Sequence, residues 1–190
     1  MIQRPEYLNF LEEWKDQQII KVVTGIRRCG KSTIFQLFRE KLLSEDILPE
    51  QIISLNFEDA DNESLCNYKT LYKYVKSRML EDRMNYIFLD EIQHVNQFEK
   101  AVDSLFIKKN TDVYITGSNA YFMSGELATL LSGRYVALNM LPLSFKEYVS
   151  AFDTSVTHVE LYRNYVYKSS FPYTVSRNNR QNIHISLEGL

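Results

Sequence analysis

The amino-acid sequence predicts an α/β fold: a five-stranded, mostly parallel sheet between helices, followed by a short helical C-terminal extension. Two patterns predict it. Short β-branched runs ended by glycine or small polar residues alternate with longer segments of helical apolar rhythm. Such alternation suits strands buried on both faces and joined by crossover helices. The first run also leads into a complete G-x-x-x-x-G-K-S sequence, Gly25 to Ser32, placed directly before a helical segment.

In chain order, Pro5 opens a helix over 5–15 with Tyr7, Leu8, Phe10, Leu11 and Trp14 on its apolar face, proline being favoured in a first turn. Residues 19–24 form the first strand, and Ile34, Phe35, Leu37, Phe38 and Leu42 give the helix over 31–43 its buried side. A second strand, 52–56, leads into the acidic turn Phe57-Glu58-Asp59, and a helix covers about 67–83. The third strand is 86–90. Asn96 and Glu99 have the spacing of a capping box, which would open a helix through Phe98, Val102, Leu105 and Phe106. The fourth strand, 113–116, precedes Gly117; a helix around 124–131 is closed by Gly133 as a left-handed cap, and 134–140 is the fifth strand. A second capping box, Ser144 with Glu147, opens a helix to about 152, another helix spans about 157–167, and 176–182 is a polar loop. These patterns divide the chain into a core over 1–141 and a helical extension over 142–190.

Composition narrows the function classes. With 190 residues, 45% apolar and 24% charged, the chain is neither generally disordered nor fibrous. A net charge of −2 is neutral on nucleic-acid binding, which would need a local basic patch. Lys69, Lys73, Lys76 and Arg83 share one helical stripe that fits such a track or an ordinary solvated face. Cys29 and Cys66 are too few for a disulfide framework and no zinc spacing is present, so a reduced, cytoplasmic setting is expected, with no membrane span.

The chemistry concentrates in two motifs. Gly25, Ile26, Arg27, Arg28, Cys29, Gly30, Lys31, Ser32 and Thr33 form a phosphate-binding (Walker A) loop between strand and helix, which specifies a P-loop NTPase. Glycines let the backbone wrap the phosphates, and amides at the helix N-terminus face their charge. Lys31 would reach the β- and γ-phosphates, Ser32 would ligate Mg²⁺, and Thr33 is placed for the α-phosphate. Cys29 is a small space-filler whose alkylation would obstruct the loop by bulk. The second motif (Walker B) is the strand end Leu89-Asp90-Glu91: Asp90 holds the metal and Glu91 polarises the attacking water. An interval of 59 residues between Lys31 and Asp90 leaves room for a whole helix, strand and helix.

Together with Asn56-Phe57-Glu58-Asp59, the run from Tyr114 through Gly117-Ser118-Asn119-Ala120, Leu131-Ser132-Gly133-Arg134-Tyr135 and the run from Leu141 to Tyr148, these motifs resemble prokaryotic predicted ATPases of the AAA-plus superfamily. The resemblance covers nearly all of residues 1–150 and implies ATP as ligand and Mg²⁺ as cofactor. It implies a γ-phosphate sensor among Thr116, Ser118 and Asn119, a polar switch at Asn56 that restrains Glu91, and at Arg134 an arginine that completes a neighbouring subunit's site. In that family a nuclease-like C-terminal domain generally follows the core. Phe171-Pro172-Tyr173 and the final Leu187 to Leu190 are similar to its beginning, so the chain is expected to be truncated there.

The expected activity is therefore Mg²⁺-dependent ATP hydrolysis with Lys31, Glu91, Arg134 and Asn56 in the catalytic machinery. The alternatives are an ATP-binding switch with negligible intrinsic turnover, or the ATPase core of a nucleic-acid-processing protein. A homo-oligomer and a nucleic-acid or protein partner acting through a further C-terminal domain are the expected associations. Trp14 is a candidate cover for the adenine.

Overall fold

A computed structural model describes residues 2, 4–118, 131, 133–152, 156–168 and 170–172. The expected helix around 124–131 (except Leu131), Asn119, and the loop at 176–182 lie outside the described residues. Five strands, β1 (Ile20–Gly25), β2 (Ile52–Asn56), β3 (Asn85–Asp90), β4 (Thr111–Ser118) and β5 (Tyr135–Met140), form one sheet in the order β2-β3-β4-β1-β5. Every neighbouring pair is parallel. All carboxyl ends therefore share one edge, where open α/β sheets collect their ligands.

Alternation along each strand sends side chains to two separate cores. On one face, α1 (Pro5–Glu13) and α2 (Lys31–Ser44) cover Val23, Tyr86, Phe88 and Tyr114 with Leu11, Ile34, Phe35, Phe38 and Leu42. Phe88 stacks on Tyr114 at 4.7 Å, and Phe35 meets Phe88 edge-on at 5.2 Å. On the other face, α3 (Tyr68–Arg78) and α4 (Phe98–Phe106) pack Leu71, Val75, Phe98, Val102 and Leu105 against Ile20, Val22, Ile87, Leu89, Val113 and Ile115. After β5 come α5 (Phe145–Val149), opened by the expected Ser144–Glu147 capping box, and α6 (His158–Lys168).

Three expectations require correction. The Asn96–Glu99 capping box does not form: Gln97 occupies the N-cap without a side-chain cap. The Asn96 backbone donates to the Cys66 carbonyl and accepts from Tyr68 N–H, a bridge to the chain before α3 that delays the helix. Helix α3 ends at Arg78, so Arg83 leaves the stripe of Lys69, Lys73 and Lys76, which are solvent-exposed. Nor does Trp14 approach the phosphate loop. Arg4 at the start of α1 touches that loop, while the far end carries Lys15 to Glu45 and Asp16 to Asp112 at the start of β4. At about 1.5 Å per residue, Trp14 lies roughly 15 Å further along the helix axis.

That far end is held by a buried ion pair. Lys21 and Asp112 are 0% and 1% exposed and hydrogen-bonded to each other. Asp112 also accepts from Tyr114 Oη (2.8 Å) and the Asp16 amide (2.8 Å), and Lys21 donates to the Gln17 carbonyl (2.8 Å). Burial pushes the Asp112 carboxyl up and the Lys21 ammonium down, each opposed by the other's charge. Removing one charge strands its partner in the interior. Asp112→Asn is expected to lower unfolding free energy by about 3–5 kcal/mol in urea titration, although it lies at the opposite end of the sheet from the phosphate loop.

Candidate active site

The carboxyl ends of β1, β3 and β4 and the N-terminus of α2 meet at one point. Gly25 ends β1 beside Met140 of β5 and Ser118 of β4. A methyl group on Gly25 would stand 2.6 Å from the Met140 carbonyl oxygen and 2.6 Å from Cys29 Sγ, so only glycine lets the loop leave the sheet here. Gly30 caps α2 in the left-handed region, at φ 105°, where a side chain would be strained. Between them Ile26, Arg27 and Arg28 are exposed and Cys29 is fully buried. Burial raises the Cys29 thiol, opposed by the charges of Lys31 and Arg4.

Lys31 is 4% exposed. Its Nζ donates to the Gly25 carbonyl (3.3 Å) and pairs with Glu91 Oε1 (3.1 Å). Glu91, with φ 53°, turns sharply out of β3, and its Oε2 accepts from Gln93 Nε2 (2.7 Å). Thr116, fully buried, locks both carboxylate residues: its hydroxyl donates to Asp90 Oδ1 and accepts from the Glu91 amide (2.9 Å). Asp90 is 7% exposed, and burial raises its carboxyl, opposed by hydrogen bonds from the Ser32 and Thr116 hydroxyls and by the Lys31 charge. Its under-compensated charge and the Ser32 hydroxyl beside it are hard oxygen donors, the kind Mg²⁺ prefers when phosphates supply other ligands. Among the described residues no group of three or more His, Cys, Asp or Glu is arranged as a self-contained metal cage.

The structure thus brings together Gly25, Gly30, Lys31, Ser32, Asp90, Glu91, Thr116 and Ser118. Asn56 pairs in register with Asp90, yet its Oδ1 accepts from the Glu58 amide (2.9 Å). Among the described residues the Glu91 carboxylate is held by Lys31 and Gln93, a role for Gln93 that the sequence reading missed. Arg27 reaches across to Glu58 (2.8 Å). Arg134 stands elsewhere: its carbonyl accepts from Ile20 N–H at the beginning of β1, and its guanidinium pairs with Asp103 (3.0 Å) over the Phe106 ring. At about 3.3 Å per strand residue it lies roughly 16 Å down the sheet from Gly25.

Arg4, also missed, is the largest addition. It is 5% exposed and donates from Nε to Glu147 Oε1 (2.7 Å), from Nη1 to the Cys29 carbonyl (3.1 Å) and from Nη2 to the Leu141 carbonyl (2.9 Å). No local signal in the sequence reveals it, since its ion-pair partner lies 143 residues away.

Comparison with known proteins agrees with this geometry. A family model described as an AAA domain matches residues 17–149, and the chain belongs to that family of P-loop ATPase domains. It is 41% identical over 179 residues to an uncharacterized protein of Haemophilus influenzae, covering 92% of this chain and 45% of that protein. It is 35% identical over 133 residues to the uncharacterized protein MJ1544 of Methanocaldococcus jannaschii, covering 68% and 28%. The chain therefore spans less than half the length of these relatives. The fold is similar to that of the Walker-type ATPase PABY2304 of Pyrococcus abyssi (TM-score 0.63, 17% identity, 98% of this chain and 71% of that one). It is also similar to AMPPCP-bound DnaA from Aquifex aeolicus (TM-score 0.58, 11% identity, 97% and 60%). The ORC1 protein of Aeropyrum pernix, solved in complex with DNA, gives a TM-score of 0.60 at 11% identity over 100% of this chain and 65% of that one. Among the described residues no helix is long and apolar enough to cross a membrane.

Two outcomes follow from the site's packing. Thr116→Val, which keeps the shape but removes the bridging hydroxyl from two buried partners, is expected to cost about 1–3 kcal/mol in urea unfolding, with Thr116→Ser restoring most of it. In the native protein iodoacetamide is expected to label the half-buried Cys66 well before the fully buried Cys29, with denaturation equalising the two in a peptide-mapping time course.

Proposed function

We propose that this chain binds ATP with Mg²⁺ and hydrolyses it. The observation that carries the reading is the convergence of Lys31 from α2, Asp90 and Glu91 from the end of β3, and Thr116 from β4 at the loop between Gly25 and Gly30. In this reading Lys31 leaves Glu91 for the β- and γ-phosphates, and the loop amides up to Thr33 cradle the phosphate chain. Ser32 and Asp90 would hold the metal, which when bound neutralises phosphate charge. Glu91, released from Lys31 but still oriented by Gln93, accepts a proton from the attacking water; Ser118 and Asn119 are proposed as γ-phosphate contacts, and Thr116 as the strut that fixes both carboxylates. Catalysis of this kind is positioning and electrostatics.

Arg134, exposed and just before the edge strand β5, would serve only a phosphate carried by a neighbouring copy, which is why a homo-oligomer is part of the proposal. The nucleic-acid or protein partner, and any activity of a longer protein, belong to the same proposal. One observation favours the switch alternative: Glu91 is already paired with Lys31, so turnover would wait on whatever separates them.

The deciding measurement is ATP hydrolysis per molecule against protein concentration in Mg²⁺. Glu91→Gln is expected to lower turnover by at least about 10²-fold with ATP affinity retained, and Lys31→Ala to abolish binding. Specific activity is expected to rise with concentration, and Arg134→Ala to remove that rise with a loss of roughly 10³-fold. Flat, Glu91→Gln-level activity with intact ATP binding would establish the switch instead.

A further inference from the structure

We propose that Arg4 is a positioning residue of the phosphate loop, which sets the direction of the Gly30 amide and makes the loop's shape depend on the segment after the sheet. The inference rests on the nucleotide-site reading above and extends it to a residue outside both motifs.

A phosphate loop works by turning successive N–H groups inward, so the carbonyls of the same peptides must turn outward and find donors there. The Cys29 carbonyl meets this problem in a dry place, because Cys29 is fully buried. Arg4 Nη1 supplies the donor (3.1 Å). In a trans peptide the C=O and the following N–H point in opposite directions, and no cis bond occurs among the described residues. Anchoring the Cys29 oxygen on Arg4 therefore fixes the Gly30 N–H on the opposite side, away from α1, and the cationic donor polarises it. Gly30 has no side chain to define that direction, and its φ of 105° leaves it the most permissive residue of the loop.

The guanidinium is itself held from the other side. Glu147 pairs with it at 2.7 Å while accepting from the Ser144 amide (2.7 Å) and hydroxyl (2.9 Å), so the carboxylate that caps α5 also orients Arg4. The Leu141 carbonyl, just after β5, takes Nη2 (2.9 Å), and the Tyr7 ring lies under the guanidinium at 4.2 Å. The post-sheet segment reaches the loop a second time at Pro172, 3.7 Å from where a Cβ on Gly30 would stand. One planar cation thus joins the loop, the exit of β5 and the cap of α5. A lysine, a single point donor, does not span all three.

The test is nucleotide affinity measured with a fluorescent ADP analogue and Mg²⁺, alongside ATP turnover and hydrogen exchange of the loop amides. Arg4→Met is expected to weaken binding by about 10- to 100-fold, the scale of a lost charged hydrogen bond. Exchange should rise at residues 26–30 and 143–149 together, and turnover at saturating ATP should change far less than affinity. Arg4→Lys should recover only part of the affinity. Glu147→Gln, which keeps the cap's shape, should shift affinity the same way, and the double variant should lose less than the product of the two single losses. If Arg4→Met lowers only the melting temperature and binds nucleotide like the parent, the proposal is overturned; should it fail to fold, Glu147→Gln with unchanged affinity and loop exchange would overturn it equally. Parent protein that binds no nucleotide would remove the site reading and this inference together, whereas parental binding lost in Lys31→Ala but unaffected by Arg4→Met would remove this inference alone.

Discussion

The hydrogen-bonded register of β3, β4 and β1 is the constraint on which the rest depends. Because the ladder is parallel throughout, aligning Leu89 with Ile115 and Gly25 with Ser118 brings three strand ends to one edge, with Asp90 two residues short of Gly25 and Ser118. Thr116 then stands one residue beyond the last β3 pairing, where its hydroxyl reaches both the Asp90 carboxylate and the Glu91 amide. A slip of one residue would turn Thr116 to the other face and send Tyr114 from the aromatic cluster into the aliphatic core. The packing of two differently filled cores therefore enforces the alignment of the site.

Buried charge divides the molecule into two ends with opposite logic. At the amino ends of the strands, buried Lys21 and Asp112 pair with each other and hydrogen-bond the Tyr114 hydroxyl, the Asp16 amide and the Gln17 carbonyl. That end is closed. At the carboxyl ends, buried Asp90 and Glu91 face one buried cation among the described residues, Lys31. Desolvated carboxylates in excess of cations destabilise a fold unless something further compensates them, and the Ser32 and Thr116 hydroxyls only soften the cost. An incomplete polar network at the mouth of a parallel sheet is what a site for an external ligand requires.

Most of the fold was legible because the central strands β1, β3 and β4 are buried on both faces, so Val113 to Ile115 or Tyr86 to Leu89 stand out as continuous apolar runs and need no partner to be recognised. Gly25 to Ser32 was legible for a different reason: backbone wrapping, helix capping and charge all act within eight residues. What escaped depends on distance or direction. Asn96 and Glu99 have capping-box spacing, but the Cys66 carbonyl and Tyr68 amide compete for the same backbone. Trp14 belongs to an apolar helix face, yet which end of that helix points at the loop is decided by tertiary contacts. Arg4 looks like an ordinary terminal arginine until Glu147 and Cys29 are folded against it.

Lys31 and Glu91 form a buried ion pair at the mouth of the site. A buried ammonium needs an anion, and the one Lys31 pairs with is the carboxylate that the ATPase reading makes the general base. Phosphate entry would then be an exchange of partners rather than the making of a new ion pair, so its gain is the difference between two charge contacts and not the whole of one. Lys31 leaving Glu91 adds an unneutralised carboxylate beside Asp90, which raises the local demand for positive charge at the moment phosphate also brings in negative charge. On that reading a phosphate chain arriving with its cation satisfies both demands at once, while one arriving without a cation has only Lys31 to answer its charge and leaves both carboxylates unneutralised.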